Sequence, residues 1–178
     1  MKWNSIFAKT LREKNTIECE PGIYKWWTSK KQFCQILNAL GIKLKDEELK
    51  LVENKDNWFC IYVGQADSLK KRLQDNHVNG RRKSTLRTSI GAIILKEYGP
   101  TDIDNKVNTF INTLKIEYKF VKKDELNDAE KKEIGSDYLR ILNGQHNGKN
   151  SLRKQYKITG KLTALRKKLY SLKSKARQ

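Results

Sequence analysis

The chain has 178 residues, 37% hydrophobic and 33% charged, with a formal net charge of +18 and a sequence pI near 9.8. That length suits one compact domain with an appendage and leaves little room for two. No apolar run approaches the ~20 residues of a membrane span, and so large a cationic excess calls for an anionic partner.

In chain order, MKWNSIFAKTLREK lacks an apolar stretch long enough for a secretory leader. It reads as a short amphipathic segment packed on the domain through Trp3, Ile6, Phe7 and Leu11. Residues 22–27 predict a first strand. Thr28 or Ser29 then caps a helix with Phe33, Ile36, Leu37 and Leu40 on one face and Gly41 as its stop. Residues 44–52 carry a weak helical pattern, and Asn54-Lys55-Asp56-Asn57 has turn chemistry. WFCIYVG (58–64) is wholly apolar and so predicts a central strand, with Gly64 ending it and allowing a tight exit. A helix capped by Asp67 or Ser68 puts Leu69 and Leu73 inward, and a basic loop follows. Ser84 caps a helix that buries Leu86, Ile90, Ile93 and Ile94 and ends at Gly99-Pro100. Ile103, Val107, Phe110, Ile111 and Leu114 mark another helix. KIEYKFV (115–121) alternates as a strand with Ile116, Tyr118 and Phe120 on one face. A last core helix is expected over 127–142, with Asn127 as cap and Ile134, Tyr138, Ile141 and Leu142 inward. The order predicts a small α+β domain with a three-stranded sheet flanked by helices.

After Asp137 no acidic residue occurs, while cations continue to Arg177. Leu162, Leu165, Leu169 and Leu172 recur at helical spacing within that run, which predicts a docked, nucleic-acid-facing basic helix. An anionic membrane surface is the rival target, but Tyr170 is the helix's one aromatic. The expected organisation is a domain over 1–148, with a helical insert at about 28–57, and a basic C-terminal extension over 149–178. Cys19, Cys34 and Cys60 form no C-x-x-C pair, and His77 and His146 stand too far from suitable partners to complete a zinc site. Cys34 and Cys60 lie in apolar runs and are expected to be inert, reduced core thiols, which points to a reducing, cytoplasmic compartment.

Gly22-Ile23-Tyr24 and Ile61-Tyr62-Val63-Gly64 are short aromatic runs, each with a glycine at one end. Arg72 follows Gly64 by eight residues, two turns into the next helix. From there its side chain can project over the sheet end where both tyrosines stand, and a guanidinium so placed suits a bidentate phosphate clamp. Lys25, Arg81, Arg82, Lys83, Arg87, Arg153 and Lys154 are the cations expected to face nucleic acid. No helix-turn-helix or zinc-finger pattern suggests base readout.

In this order, GIY, YVG and ADSLKKR resemble the GIY-YIG nuclease family, over about residues 20–145. GRRKSTLRTSIGAIIL is further similar to a bacterial subset in which a STLR-SLGA helix follows the motif helix. The resemblance implies a three-stranded antiparallel sheet and metal-dependent cleavage of phosphodiester bonds in DNA, most simply double-stranded. It implies Tyr24 as general base, with Lys25 and Arg72 as the cations that help a phenol of ordinary pKa ~10 to work near neutrality. Tyr62 would position water or phosphate, and Arg72 would stabilise the pentavalent phosphorane. Magnesium or manganese would sit on one glutamate and act as Lewis acid. That glutamate is Glu130, spaced from Asn143, or Glu133, spaced from Asn147; Asn127-Asp128-Ala129-Glu130 also reads as an ordinary capping box. The family often carries a histidine or tyrosine one turn after the arginine. Asn76 stands there, and His77 follows it, so a site role for His77 needs it to swing in or the helix to end early. The segment 28–57 is an insert relative to the simplest members. The rival class is a non-catalytic DNA- or RNA-binding module on a decayed nuclease scaffold.

Overall fold

The computed structural model describes residues 2–14, 16–135, 138–143 and 151–175. Its sheet has five strands, not three, in the order β1 (Asn4–Phe7), β5 (Lys115–Phe120), β2 (Gly22–Ser29), β4 (Trp58–Ala66) and β3 (Asn54–Lys55). The three expected strands form its centre: β2 (Gly22–Ser29), β4 (Trp58–Ala66) and β5 (Lys115–Phe120). β2 lies antiparallel to both β4 and β5, and all but its last residue are buried.

The two extra strands are short edges that lack an apolar alternation of their own. β1 (Asn4–Phe7) pairs with β5 from Asn4↔Tyr118 to Phe7↔Lys115, and helix α1 (Ala8–Glu13) follows it directly. Leu11 is buried as expected, whereas Phe7 is 48% exposed. β3 (Asn54–Lys55) pairs with Phe59 and Trp58. Asp56 and Asn57 close that hairpin at φ of 51° and 64°, the left-handed conformation a two-residue loop demands and Asp and Asn tolerate. β4 runs on to Ala66, so Gly64 lies within the strand instead of ending it.

Helices cover both faces. On the Tyr24 side lie α2 (Lys30–Ala39), α4 (Thr85–Tyr98), α5 (Ile103–Asn112) and α8 (Ile158–Lys175), around one core that includes Tyr24, Trp26, Ile90, Ile111 and Leu162. Ser29 and Ser84 are the N-caps, each accepting a backbone N–H three residues on, from Gln32 and Arg87. Gly41, at φ 59°, follows α2. The weak 44–52 pattern yields one turn, α3 (Asp46–Leu49), while Ile42 and Val52 join the core. On the other face α6 (Leu126–Ile134) buries Ile134 against Trp27, Cys60 and Val63.

α8, which follows the short α7 (Ser151–Gln155), is part of this core. Leu162 and Leu169 are 1% and 3% exposed, worth about 1.5–3 kcal/mol each. Gly91 lets α8 approach α4, since a Cβ there would stand 3.1 Å from Leu169 Cδ2. The expected boundary near 148 lies outside the described residues, as do His146, Asn147 and Lys149; side chains on both sides of it share the same core.

Four further expectations change. α6 ends at Ile134 and does not run to 142; Ile141 and Leu142 are buried from a non-helical segment, and Tyr138 is 41% exposed. Asn127 sits inside α6 and accepts a hydrogen bond from Gln65 Nε2 at 2.8 Å. Cys34 is exposed, because the apolar stripe of α2 runs through Phe33, Ile36 and Leu37 and leaves Cys34 off that face. Cys60 is buried as expected, and burial pushes its thiol up to about 12. No helix among the described residues is long and apolar enough to cross a membrane.

Candidate active site

The two tyrosine runs meet across the sheet. Tyr24 on β2 stands opposite Gly64 on β4, and Trp26 stands opposite Tyr62. Side chains directly opposite one another share a face, so the two tyrosines stack with ring centroids 6.3 Å apart. Gly64 is required by close approach: a Cβ there would lie 2.5 Å from the Tyr24 hydroxyl and 2.7 Å from Cζ. A Cβ on Gly22 would strike Leu69 Cδ1 at 2.6 Å. The motif glycines admit the Tyr24 ring and seat the following helix.

That helix, Lys70–Val78, is a π-helix, with bonds such as Asn79 N–H to the Gln74 carbonyl at 2.9 Å. Bonding from i to i+5 adds a residue per turn. Arg72 and His77, five apart in sequence, therefore lie on one face. The offset from the usual one-turn spacing is absorbed by the backbone, and His77 neither swings in nor follows an early helix end.

Arg72 Nε donates to Tyr24 Oη at 3.2 Å, and His77 Nε2 lies 2.9 Å from the same oxygen. His77 Nδ1 is 2.6 Å from Ser84 Oγ, which also accepts Arg87 N–H at 3.1 Å. Burial raises the Tyr24 pKa, helped by Tyr62 and opposed by Arg72. Burial likewise raises Tyr62, again opposed by Arg72. His77 is fully buried and held neutral, its pKa well below the usual value through burial first and the charges of Arg72 and Arg87 next.

Glu130 arrives from α6 on the opposite face, across the β4 edge. β3 covers only Trp58 and Phe59, leaving the remainder of that edge to other partners. Asn143 supplies them at Val63: its Oδ1 accepts Val63 N–H at 2.9 Å and its Nδ2 donates to Val63 O at 2.7 Å. The result is a pocket of about 470 Å³ lined by Tyr24, Tyr62, Arg72, Glu130, Asn143 and Arg166, among others.

Several expected site residues are placed elsewhere. Lys25 points away from Tyr24 because successive strand residues face opposite ways. It is 7% exposed and pairs with Glu53 at 2.9 Å and Glu133 at 2.8 Å, so it supplies no charge to Tyr24 and no open nucleic-acid contact. Glu133 belongs to that second cluster, bridging Lys25 and Lys119 (3.2 Å), and does not line the pocket. Arg87 braces the end of the π-helix, donating to the carbonyls of His77 (3.2 Å) and Val78 (3.0 Å) and to Asn108 Oδ1 (2.8 Å). Arg153 is 3% exposed and donates to Thr159 Oγ1 and the Arg140 carbonyl, and burial lowers its pKa to about 10. Arg81, Arg82, Lys83 and Lys154 are exposed, with Arg81 paired to Asp75 at 3.0 Å. One residue of the pocket and one behind His77 carried no site signal in the sequence. Arg166 was one cation among many in the C-terminal run, and Ser84 read only as a helix cap.

A family model described as the GIY-YIG catalytic domain matches residues 22–168, which takes in the tyrosine strands, the π-helix, α6 and most of α8. No curated protein and no solved structure shows a significant match. The chain belongs to the GIY-YIG catalytic-domain family, whose members are generally endonucleases.

Proposed function

We propose that this protein is a metal-dependent DNA endonuclease that hydrolyses phosphodiester bonds, with duplex DNA as its substrate. The observation that carries this is the convergence of Tyr24, Tyr62, Arg72 and Glu130 on one pocket, with Arg72 hydrogen-bonded to the Tyr24 hydroxyl.

His77 holds Tyr24 Oη through Nε2 and Ser84 Oγ through Nδ1, one ring nitrogen carrying the proton and the other accepting, so the neutral ring ties the two hydroxyls together. Arg72 Nε donates to the same phenol oxygen, and a donor on that oxygen favours the phenolate. Burial opposes this, so Tyr24 rests as the neutral phenol, and the form that would act as base is the phenolate left when its proton has passed to solvent water. Tyr24 would take the proton of the attacking water. Tyr62, stacked beside it, would orient that water or a phosphate oxygen. The Arg72 N–H groups not engaged with Tyr24 would stabilise charge developing on the phosphoryl oxygens.

Among the described residues no group of three or more His, Cys, Asp and Glu converges to hold an ion. A single carboxylate, Glu130, fits magnesium or manganese held otherwise by water and substrate phosphate. Bound there, the ion supplies a Lewis acid for the leaving oxygen. The exposed cations Arg82, Lys83 and Lys154 would meet the DNA backbone as sequence-independent contacts. Free Cys19, Cys34 and Cys60 suit a reducing, cytoplasmic setting.

The test is nicking of supercoiled plasmid with magnesium or manganese, followed by sequencing of the product ends. Metal-dependent nicks are expected. Intact plasmid with a retained gel shift would replace the enzyme with a nucleic-acid-binding module.

A further inference from the structure

A second guanidinium enters the pocket from far along the chain. Arg166, on α8, lines it together with Tyr24, Tyr62, Arg72 and Glu130. It is aimed there by a serine on another helix. Arg166 Nε and Nη2 donate to Ser89 Oγ at 3.1 and 2.6 Å. Ser89, fully buried on α4, donates its own hydroxyl to the Thr85 carbonyl at 2.7 Å, which fixes the direction of the oxygen that Arg166 grips.

Ser89 is neutral, so this anchor orients the guanidinium and leaves its charge uncompensated. Among the described residues neither Arg166 nor Arg72 forms an ion pair with a carboxylate. Burial lowers the Arg166 pKa, yet an arginine stays cationic near neutrality. Two half-buried guanidinia in one pocket are unfavourable until an anion joins them. A guanidinium has five N–H donors in a planar fork, and Ser89 takes two of them.

We propose that Arg166 is a second phosphate-binding arginine of this site, positioned by Ser89 so that its remaining N–H groups grip an oxygen of the DNA phosphate that Arg72 clamps. The proposal rests on the nuclease reading for its substrate. It also makes the C-terminal helix a wall of the active site, so the basic extension serves the reaction as well as the surrounding DNA.

The experiment compares the wild type with Arg166→Ala, Arg166→Gln and Ser89→Ala. It measures plasmid nicking, thermal melting, and the salt dependence of binding to a short labelled duplex. Arg166→Ala and Arg166→Gln are expected to lower kcat about 10²-fold, with a melting temperature close to wild type for the glutamine variant. Added guanidinium ion should restore part of the rate to Arg166→Ala, where a cavity admits it, and not to Arg166→Gln. The slope of log binding constant against log salt should shrink by about one in either. Ser89→Ala should give a smaller loss of kcat. Arg166→Gln cleaving at the wild-type rate with an unchanged salt slope would overturn the proposal. So would a rate loss that tracks melting and resists rescue. If the wild type cleaves nothing while Arg166→Gln still flattens the salt slope, the nuclease reading falls and Arg166 stands as a phosphate ligand.

Discussion

On the Lys25 face of β2, cations and carboxylates answer one another. Lys25 bridges Glu53 and Glu133, Lys119 holds Glu133, and Arg140 pairs with Glu53. The ring of Trp3 lies under Lys25 and Lys119, at 4.9 and 4.7 Å. On the Tyr24 face, one residue away in sequence, Arg72 and Arg166 lean on neutral partners, Tyr24 and Ser89. Charge that is matched within the chain holds elements together: Glu133 ties α6 to the sheet through Lys25 and Lys119. Charge that is left unmatched and half-buried is charge kept for a ligand.

The comparison breaks most visibly at Arg72. Arg72→Ala is expected to lower the nicking rate about 10³-fold while DNA binding changes little, because many surface cations share that binding. A parallel loss of binding and cleavage would move Arg72 from chemistry to general attraction.

Tyr24→Phe keeps the ring that packs against Gly64 and loses only the hydroxyl. A fall of about 10²–10⁴ in kcat with unchanged melting is expected. The pH profile sharpens this. Burial raises the Tyr24 pKa, and a base acts when deprotonated, so the wild-type rate should climb through the neutral range into the alkaline. A plateau reached near pH 7 would point to a different base.

On the other face the expected loss is one of stability. Lys25→Met removes the shared cation and leaves Glu53 and Glu133 with fewer partners. It should destabilise the fold by about 1.5–3 kcal/mol, read by denaturant unfolding, while the rate per folded molecule stays close to wild type. A catalytic defect without a stability change would place Lys25 in the reaction.

The smallest effect is a pH dependence of folding centred on His77, whose folded pKa lies below its unfolded value of ~6.5. The unfolded chain therefore takes up the proton first. This contribution is complete above about pH 6.5 and fades as the pH falls. Melting temperatures between neutral and mildly acid pH should drop more for the wild type than for His77→Gln. Equal drops would mean that His77 is not held neutral by the fold.

Much of this was legible beforehand. The central strands, the caps at Ser29 and Ser84, and the inward faces of α2, α4 and α5 follow from periodicity and capping chemistry. Lys25 is excluded from the Tyr24 face by strand alternation alone, which sends the neighbours of Tyr24 to the other side. β1 and β3 were hidden because short edge strands take their conformation from a neighbour. The early end of α6 was hidden because Leu139, Ile141 and Leu142 are equally apolar in a helix or in a packed loop.

By itself the order of residues determined the family and the three central strands, with glycine at positions 22 and 64, whereas the close approach of Leu69 and Tyr24 that requires those glycines is tertiary. The tertiary structure decided which charges are left unmatched. It bonded Lys70–Val78 as a π-helix, which carries His77 round to Tyr24. It brought Glu130 across the β4 edge and Arg166 down from a helix begun far away in sequence. The physical reason is common to all three. Local patterns set which face of an element is buried, whereas the partner of a charge is chosen by the packing of elements that no local pattern relates.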